Sequence, residues 1–141
     1  GATPQSEQEL LQPVNELEAI EDPDAIWRRY VNEQLKGPYQ QLFEQLDLLI
    51  MLKVPNMESV FEWRTLQEKK LADRVSYLAQ EGQLDELKIM SESEIHRFIM
   101  HYERLTRMML ERMPEIADVT SFLNENHKTY KILINRPLER G

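Results

Sequence analysis

Cysteine is absent from the 141 residues, and glycine occurs only four times. The first absence excludes disulfides, thiolate metal sites and a cysteine nucleophile, and it fits a reducing compartment. The second is more restrictive. The glycines are Gly1, Gly37, Gly82 and Gly141. None frames a serine, which excludes a nucleophile elbow, and G-x-x-x-x-G-K-[ST] cannot be written, which excludes a phosphate-cradling loop within this chain. No run approaches the roughly 18 apolar residues that span a bilayer. Residues 1–7 have neither the basic start nor the apolar stretch of a signal peptide, so the expectation is a cytoplasmic protein without a membrane partner.

Basic charge is also in short supply. The net charge of −8 argues against a nucleic-acid partner, because non-specific affinity comes from Lys and Arg neutralising phosphates. Glu7, Glu9, Glu16, Glu18, Glu21, Asp22 and Asp24 have no basic residue among them, and such a stretch reads as a solvated face or loop. Otherwise the composition, 41% hydrophobic and 30% charged, is that of a soluble globular protein of single-domain size.

What the chain does contain is one short, wholly apolar segment, Leu48-Leu49-Ile50-Met51-Leu52, with no comparable partner elsewhere. A strand apolar on both faces belongs in a sheet covered on both sides, usually a parallel one, and such sheets need several strands joined by crossover helices. The expectation is therefore a mostly helical piece of a larger α/β domain. Residues 1–21 read as an extended acidic lead-in with one short helix near Glu7 to Gln12. Residues 22–56 read as helices and the core strand. Asp22-Pro23-Asp24 suits a helix start that runs to Lys36, with Ile26, Trp27, Tyr30, Val31 and Leu35 as its apolar stripe. Gly37-Pro38 begins another helix, whose Tyr39, Leu42, Phe43 and Leu46 continue the apolar face.

Residues 57–90 read as a long helix from Met57 to about Ala79, with Val60, Trp63, Leu71, Val75 and Leu78 inward, ending in a loop at Glu81-Gly82-Gln83. Residues 91–141 open on the S-x-x-E capping box of Ser91 and Glu94. The helix carries Ile95, Phe98, Ile99, Tyr102, Leu105, Met109 and Met113 inward until Pro114, and a hairpin of Val119 to Leu123 and Lys128 to Ile134 follows.

Two basic sets are candidates for chemistry. Arg97, His101 and Arg104 are spaced i, i+4 and i+7, with Arg107 close by, and clustered guanidinium groups suit a carboxylate or phosphate. Arg64, Lys69, Lys70 and Arg74 form the other set, and cations on a moving helix can stabilise a transferred phosphoryl group. By spacing alone, both also fit exposed helices with scattered ion pairs. Metal binding finds little support: His96 and His101 diverge around a helix, no Glu-x-x-His pair occurs, and His127 falls in a turn.

Several segments together resemble the D-glycerate 3-kinase-like P-loop kinases: Gly1-Ala2-Thr3-Pro4-Gln5, Pro13-Val14-Asn15-Glu16-Leu17-Glu18, Trp27 to Asn32, Phe61-Glu62-Trp63-Arg64 through Leu71, and His101 to Arg107. The likeness runs in order over nearly the whole chain. That family is similar in fold to uridine kinase, phosphoribulokinase and pantothenate kinase, and phosphorylates a hydroxyl of a small metabolite with ATP and Mg²⁺. The resemblance implies that residues 1–141 are the C-terminal portion of such a kinase, with Gly1 just after a central strand and the P-loop and early acidic residues upstream of it.

It further implies that the Arg64 to Arg74 helix is the lid over nucleotide phosphates. Arg64 and Lys70 would be the leading contacts there, with Lys69 and Arg74 beside them. Tyr102, Arg104 and Arg107 would face the acceptor carboxylate, and Asn15 would line the same cleft. D-Glycerate or a similar hydroxy acid is the implied acceptor, and this piece alone is expected to be inactive. The residues also admit a non-catalytic helical interaction module, and they leave the oligomeric state open.

Overall fold

A computed structural model of the chain describes residues 1–80 and 89–135, with the side chains of 78–80 left aside. The expected loop at Glu81-Gly82-Gln83 and the side chain of Leu78 lie outside what is described. In chain order the elements are α1 (Glu7–Leu11), α2 (Glu16–Glu21), α3 (Ile26–Lys36), α4 (Pro38–Phe43), β1 (Ile50–Lys53), α5 (Met57–Gln80), α6 (Glu92–Ile116), β2 (Val119–Leu123) and β3 (Thr129–Ile134). The class is α/β, mostly helical. None of the described helices is long and apolar enough to cross a membrane.

The apolar segment does have a partner. β1 pairs in parallel with β2, Ile50 opposite Val119 through Lys53 opposite Phe122, and β2 pairs antiparallel with β3. Leu48 and Leu49 precede the strand. The Leu49 N–H donates to the Asp118 carboxylate at 2.8 Å, and the Leu49 carbonyl accepts from Val119 at 3.2 Å. The expectation of a strand buried on both faces needs correcting: Met51 is 8% exposed, but Ile50 and Leu52 are 57% and 65% exposed. One face of the sheet is covered by α6, where Met51 packs with Met113 and Ala117 and with half-buried Leu49, Met109 and Leu110. The other face carries Ile50, Leu52, Ile132 and Ile134, all exposed, and the register lines them up as Ile50–Val119–Ile134 and Leu52–Ser121–Ile132. Residues directly opposite across strands share a face, so this is a largely apolar surface with Ser121 at its middle.

α6 is the beam of the molecule. Its Ser91–Glu94 capping box forms as the sequence indicates, satisfying two of the donors a helix start leaves open. The helix does not stop before Pro114 but continues to Ile116. Proline deletes one rung of the ladder, yet the Ala117 N–H still reaches the Met113 carbonyl at 2.8 Å. The carbonyls of Pro114 and Ala117 are then capped by the Asn135 amide, each at 2.8 Å. Opposite the sheet, α6 buries Met108 against Ala2 and Leu35, with Leu105 and Met109 alongside. α5 lies along α6 and buries Ser59 and Glu68, while Leu71, expected inward, is exposed. The hairpin closes on Asn124, whose side chain accepts the N–H groups of Asn126 and Lys128 at 3.0 Å, with His127 left-handed at φ 60°.

The N-terminal segment departs furthest from expectation. It forms two short helices rather than one, capped by Ser6 and Asn15, and α3 begins at Ile26 rather than just after Asp22. Asp22 still caps it, accepting from the N–H groups of Trp27 at 3.0 Å and Arg28 at 3.2 Å. The acidic stretch is not simply a solvated face. Glu7 pairs with Arg29, Glu9 with Arg112, Glu18 with Arg104, Glu21 with Arg97 and Asp22 with Arg28. All five cations come from α3 or α6, so the lead-in is strapped to both helices.

The straps depress carboxylate pKa values. The hydrogen bond from Arg29 lowers Glu7, and that from Arg97 lowers Glu21. The Ser6 backbone and hydroxyl, then Arg112, lower Glu9. At Asp22 burial pushes upward but is outweighed by hydrogen bonds from the Trp27 N–H and from Arg28. Groups lowered in the folded state add stability above their unfolded pKa and lose it as pH falls through the folded value. Stability to urea should therefore be level above about pH 5 and decline below about pH 4.5. A midpoint that rises on acidification would contradict the strap. The bare sheet face makes a separate prediction. Leu52→Lys with Ile132→Lys should shift unfolding by only about 0.5 kcal/mol and reduce binding of an apolar fluorescent dye. Loss of the fold would mean the face is covered.

Candidate functional site

A cleft of about 520 Å³ opens between α2, α3 and α6. Leu17, Val31, Met100 and Leu105 contribute apolar lining, and Trp27, His101 and Tyr102 contribute rings. Trp27 and Tyr102 are largely exposed. His101 is oriented by a 2.9 Å contact of Nδ1 with the Arg97 carbonyl. Since a carbonyl only accepts, Nδ1 carries the proton there and the neutral ring presents Nε2 as an acceptor.

Arg104 lies on the inner side of this cleft and is buried. Its Nε donates to Glu18 Oε1 at 2.8 Å and Nη2 to Glu18 Oε2 at 2.6 Å. The remaining N–H groups go to Gln5 Oε1 at 3.4 Å, the Glu9 carbonyl at 3.0 Å and the Gln12 carbonyl at 2.5 Å. All five guanidinium donors are thus taken by the lead-in. Arg28 stands next to it, bonding Asp22 and the Leu10 carbonyl and lying 3.8 Å from Glu18.

The two other acceptor-side candidates sit outside the cleft. Arg107, one turn along, places Nε and Nη2 at 2.8 and 2.6 Å from Glu103 Oε1. Asn15 caps α2 and donates its amide to the Met100 carbonyl at 2.9 Å and to Glu103 Oε2 at 3.0 Å, bracing α2 against α6. Arg97 is drawn off by a two-bond contact with Glu21. Of the candidate anion-holding face, Arg97 and Arg104 are accordingly drawn to separate carboxylates and His101 to a backbone carbonyl. Trp27 and Val31 were legible only as core positions of α3. Nothing in their spacing signals that they line an open cleft.

The cations of α5 separate by helical phase. Arg64 shares its side of the helix with Glu68. Lys70 and Arg74, seven and eleven residues beyond Trp63, lie on the Trp63 stripe, and Lys69 falls on neither. Lys69, Lys70 and Arg74 are exposed. Trp63 stacks on His127 with ring centres 4.0 Å apart and donates to the Glu125 carbonyl at 3.3 Å, fixing this stripe against the hairpin turn. A second cleft of about 430 Å³ lies between α5 and α6 and is lined by Phe61, Glu62, His96 and Glu103 among others.

With this geometry in place, solved structures supply a likeness. A D-glycerate 3-kinase from Cryptococcus neoformans var. grubii serotype A superposes over 95% of this chain with a TM-score of 0.65 at 17% identity. The fold is that of about half of such a kinase. The superposition takes in 46% of that chain, and the YGR205w protein matches over 94% of this chain and 44% of its own, with a TM-score of 0.55 and 18% identity. No family model and no curated protein matches the chain by sequence.

The ATP and Mg²⁺ that such a fold implies meet two different answers here. The α5 cations suit phosphate oxygens. No group of three metal-ligating side chains converges among the described residues, and the sequence holds no phosphate-cradling loop, so the described residues do not build a nucleotide–metal site by themselves. Arg104→Ala should leave Glu18 buried without its main partner and destabilise the chain by about 3–5 kcal/mol. Glu18→Gln in the same chain should recover part of that loss in urea unfolding. An unchanged midpoint for Arg104→Ala would mean the network carries no load.

Proposed function

We propose that this chain is the lid and acceptor-binding portion of a small-molecule kinase that transfers a phosphoryl group from ATP to a hydroxyl of D-glycerate or a similar hydroxy acid. One observation carries the reading: the likeness to a D-glycerate 3-kinase over 95% of the chain. The order of elements gives it physical sense. α5, rooted on the hairpin turn through Trp63, carries Arg64, Lys70 and Arg74 along its length, where cations would meet phosphate charge. The α2–α3–α6 cleft supplies the Tyr102 hydroxyl and the His101 ring for a small polar acceptor, with Trp27 closing one side.

Within this reading Arg104 is a positioning residue rather than a carboxylate ligand, because its donors already hold Glu18, Gln5 and the carbonyls of Glu9 and Gln12. It sets the turn of α6 from which Tyr102 and His101 project. Arg107 would reach an acceptor carboxylate only by sharing Glu103. The triphosphate cradle and the metal ligands would come from residues other than those described, and this chain alone should not turn over substrate.

A second reading, a non-catalytic interaction module, draws on the exposed sheet face and on exposed Ile26, Trp27 and Tyr30 of α3. Binding of Mg-ATP separates the two, measured on a polypeptide that carries these residues together with a phosphate-binding loop. The kinase reading expects nucleotide binding and ATP-dependent phosphorylation of D-glycerate. It also expects Arg64→Ala to lower kcat by up to roughly a thousandfold if Arg64 acts on the transition state. Absence of Mg-ATP binding there would leave the interaction module as the better reading.

A further inference from the structure

Glu68 is a carboxylate where α5 has little reason to bury one. The residue is 3% exposed on a helix whose other charged side chains, Arg64 apart, are exposed, and a buried carboxylate is unfavourable unless its oxygens are engaged. One oxygen accepts the Met90 N–H at 2.8 Å, tying the residue just ahead of the α6 cap to α5. The other stands 2.8 Å from Arg64 Nη2, but the approach is not along an N–H, so it is a charge contact without a directed hydrogen bond.

Arg64 is otherwise held lightly, by Gln67 Oε1 at 3.2 Å and by the face of the Phe98 ring at 5.5 Å. The contrast with its fellows is informative. Arg28, Arg29, Arg97, Arg104, Arg107 and Arg112 each reach a carboxylate through directed hydrogen bonds. Arg64 alone among the carboxylate-paired arginines described has its charge partnered and its directional bonding incomplete.

We propose that Glu68 positions Arg64 at the α5–α6 seam and sets how strongly its guanidinium takes an oxyanion. An incoming phosphate-like group competes with the Glu68 carboxylate for the same cation and offers the directed acceptors that Glu68 does not. Glu68 keeps its Met90 bond during the exchange, so the helix junction need not open. The proposal rests on the kinase reading only for naming phosphate as the physiological oxyanion.

The test uses this chain as it is, with inorganic tripolyphosphate and calorimetry at low salt. Glu68→Gln keeps an acceptor for Met90 and removes the competing charge. It should tighten tripolyphosphate binding about fivefold or more, and adding Arg64→Ala should abolish the gain. A Glu68→Gln affinity equal to or below the unmutated one overturns the proposal. So does a lowered urea midpoint with no change in affinity, which is the result of a merely structural role. In the unmutated chain, titration should move the Arg64 Nε–H resonance in ¹⁵N spectra while the Met90 amide stays protected from exchange. A stationary Arg64 signal is equally fatal, and this measurement stands if the variant does not fold. Because no nucleotide and no turnover are involved, the result is independent of whether a longer polypeptide binds Mg-ATP.

Discussion

The guanidinium of Arg104 is the point at which three layers of the molecule meet. It grips the Glu18 side chain in α2, two backbone carbonyls and the Gln5 amide of the lead-in, all from the buried side of α6. Glu18 also faces Arg28 of α3, so one carboxylate is held between two buried cations. Without that grip the first 24 residues have few apolar anchors, Leu10 and Ala2 foremost. With it, α2 and α3 form one wall of the cleft and α6 the other. Charge burial of this kind adds little net stability over an apolar core of equal volume, but it is severe about geometry. Geometry is what a cleft built from three separate helices requires.

The sheet shows the opposite condition. Its α6 side is packed around Met51, Met113 and Ala117, with Thr120 fully buried beside them. Its other side exposes isoleucine and leucine in register. A parallel pair such as β1–β2 is ordinarily found in sheets covered on both faces, and a contiguous exposed apolar face is uncommon on a protein that works alone. Within the described residues the sheet is covered on its α6 side only, and the chain superposes on less than half of each matched structure.

What the sequence makes legible follows from the range of the forces involved. The capping box at Ser91 and the turn chemistry around Asn124 depend on neighbours within four residues, and each is found where the residues indicate, whereas β1 begins at Ile50, two residues later than its apolar run, and is buried on one face only. The arginine–carboxylate pairs join positions 76 to 103 apart for Glu21–Arg97, Glu18–Arg104 and Glu9–Arg112. Spacing along one helix carries no sign of them. Spacing therefore leaves Arg97, His101 and Arg104 open between an anion-binding face and scattered ion pairs, and leaves the acidic lead-in looking solvent-facing. The acidic lead-in holds the carboxylates that the α6 arginines pair with. The helix through Pro114 belongs to the same class, because the cap that steadies its end comes from Asn135, beyond two strands.

The division among the arginines bears on how such a chain can act. Arg28 and Arg104, locked to buried carboxylates by directed bonds, define architecture, since moving them would leave a buried charge that nothing else compensates. A cation whose directed bonding is incomplete can take on a further acceptor without breaking such a bond. Arg64 is in that second position, on a helix whose far half extends past the packed core and whose near half is fixed by Trp63 on the hairpin turn. α5 thus combines a root fixed on the hairpin turn, exposed Lys70 and Arg74, and one guanidinium whose directed bonding is incomplete. The straps at the other end of the molecule hold the walls of the α2–α3–α6 cleft in place by directed bonds.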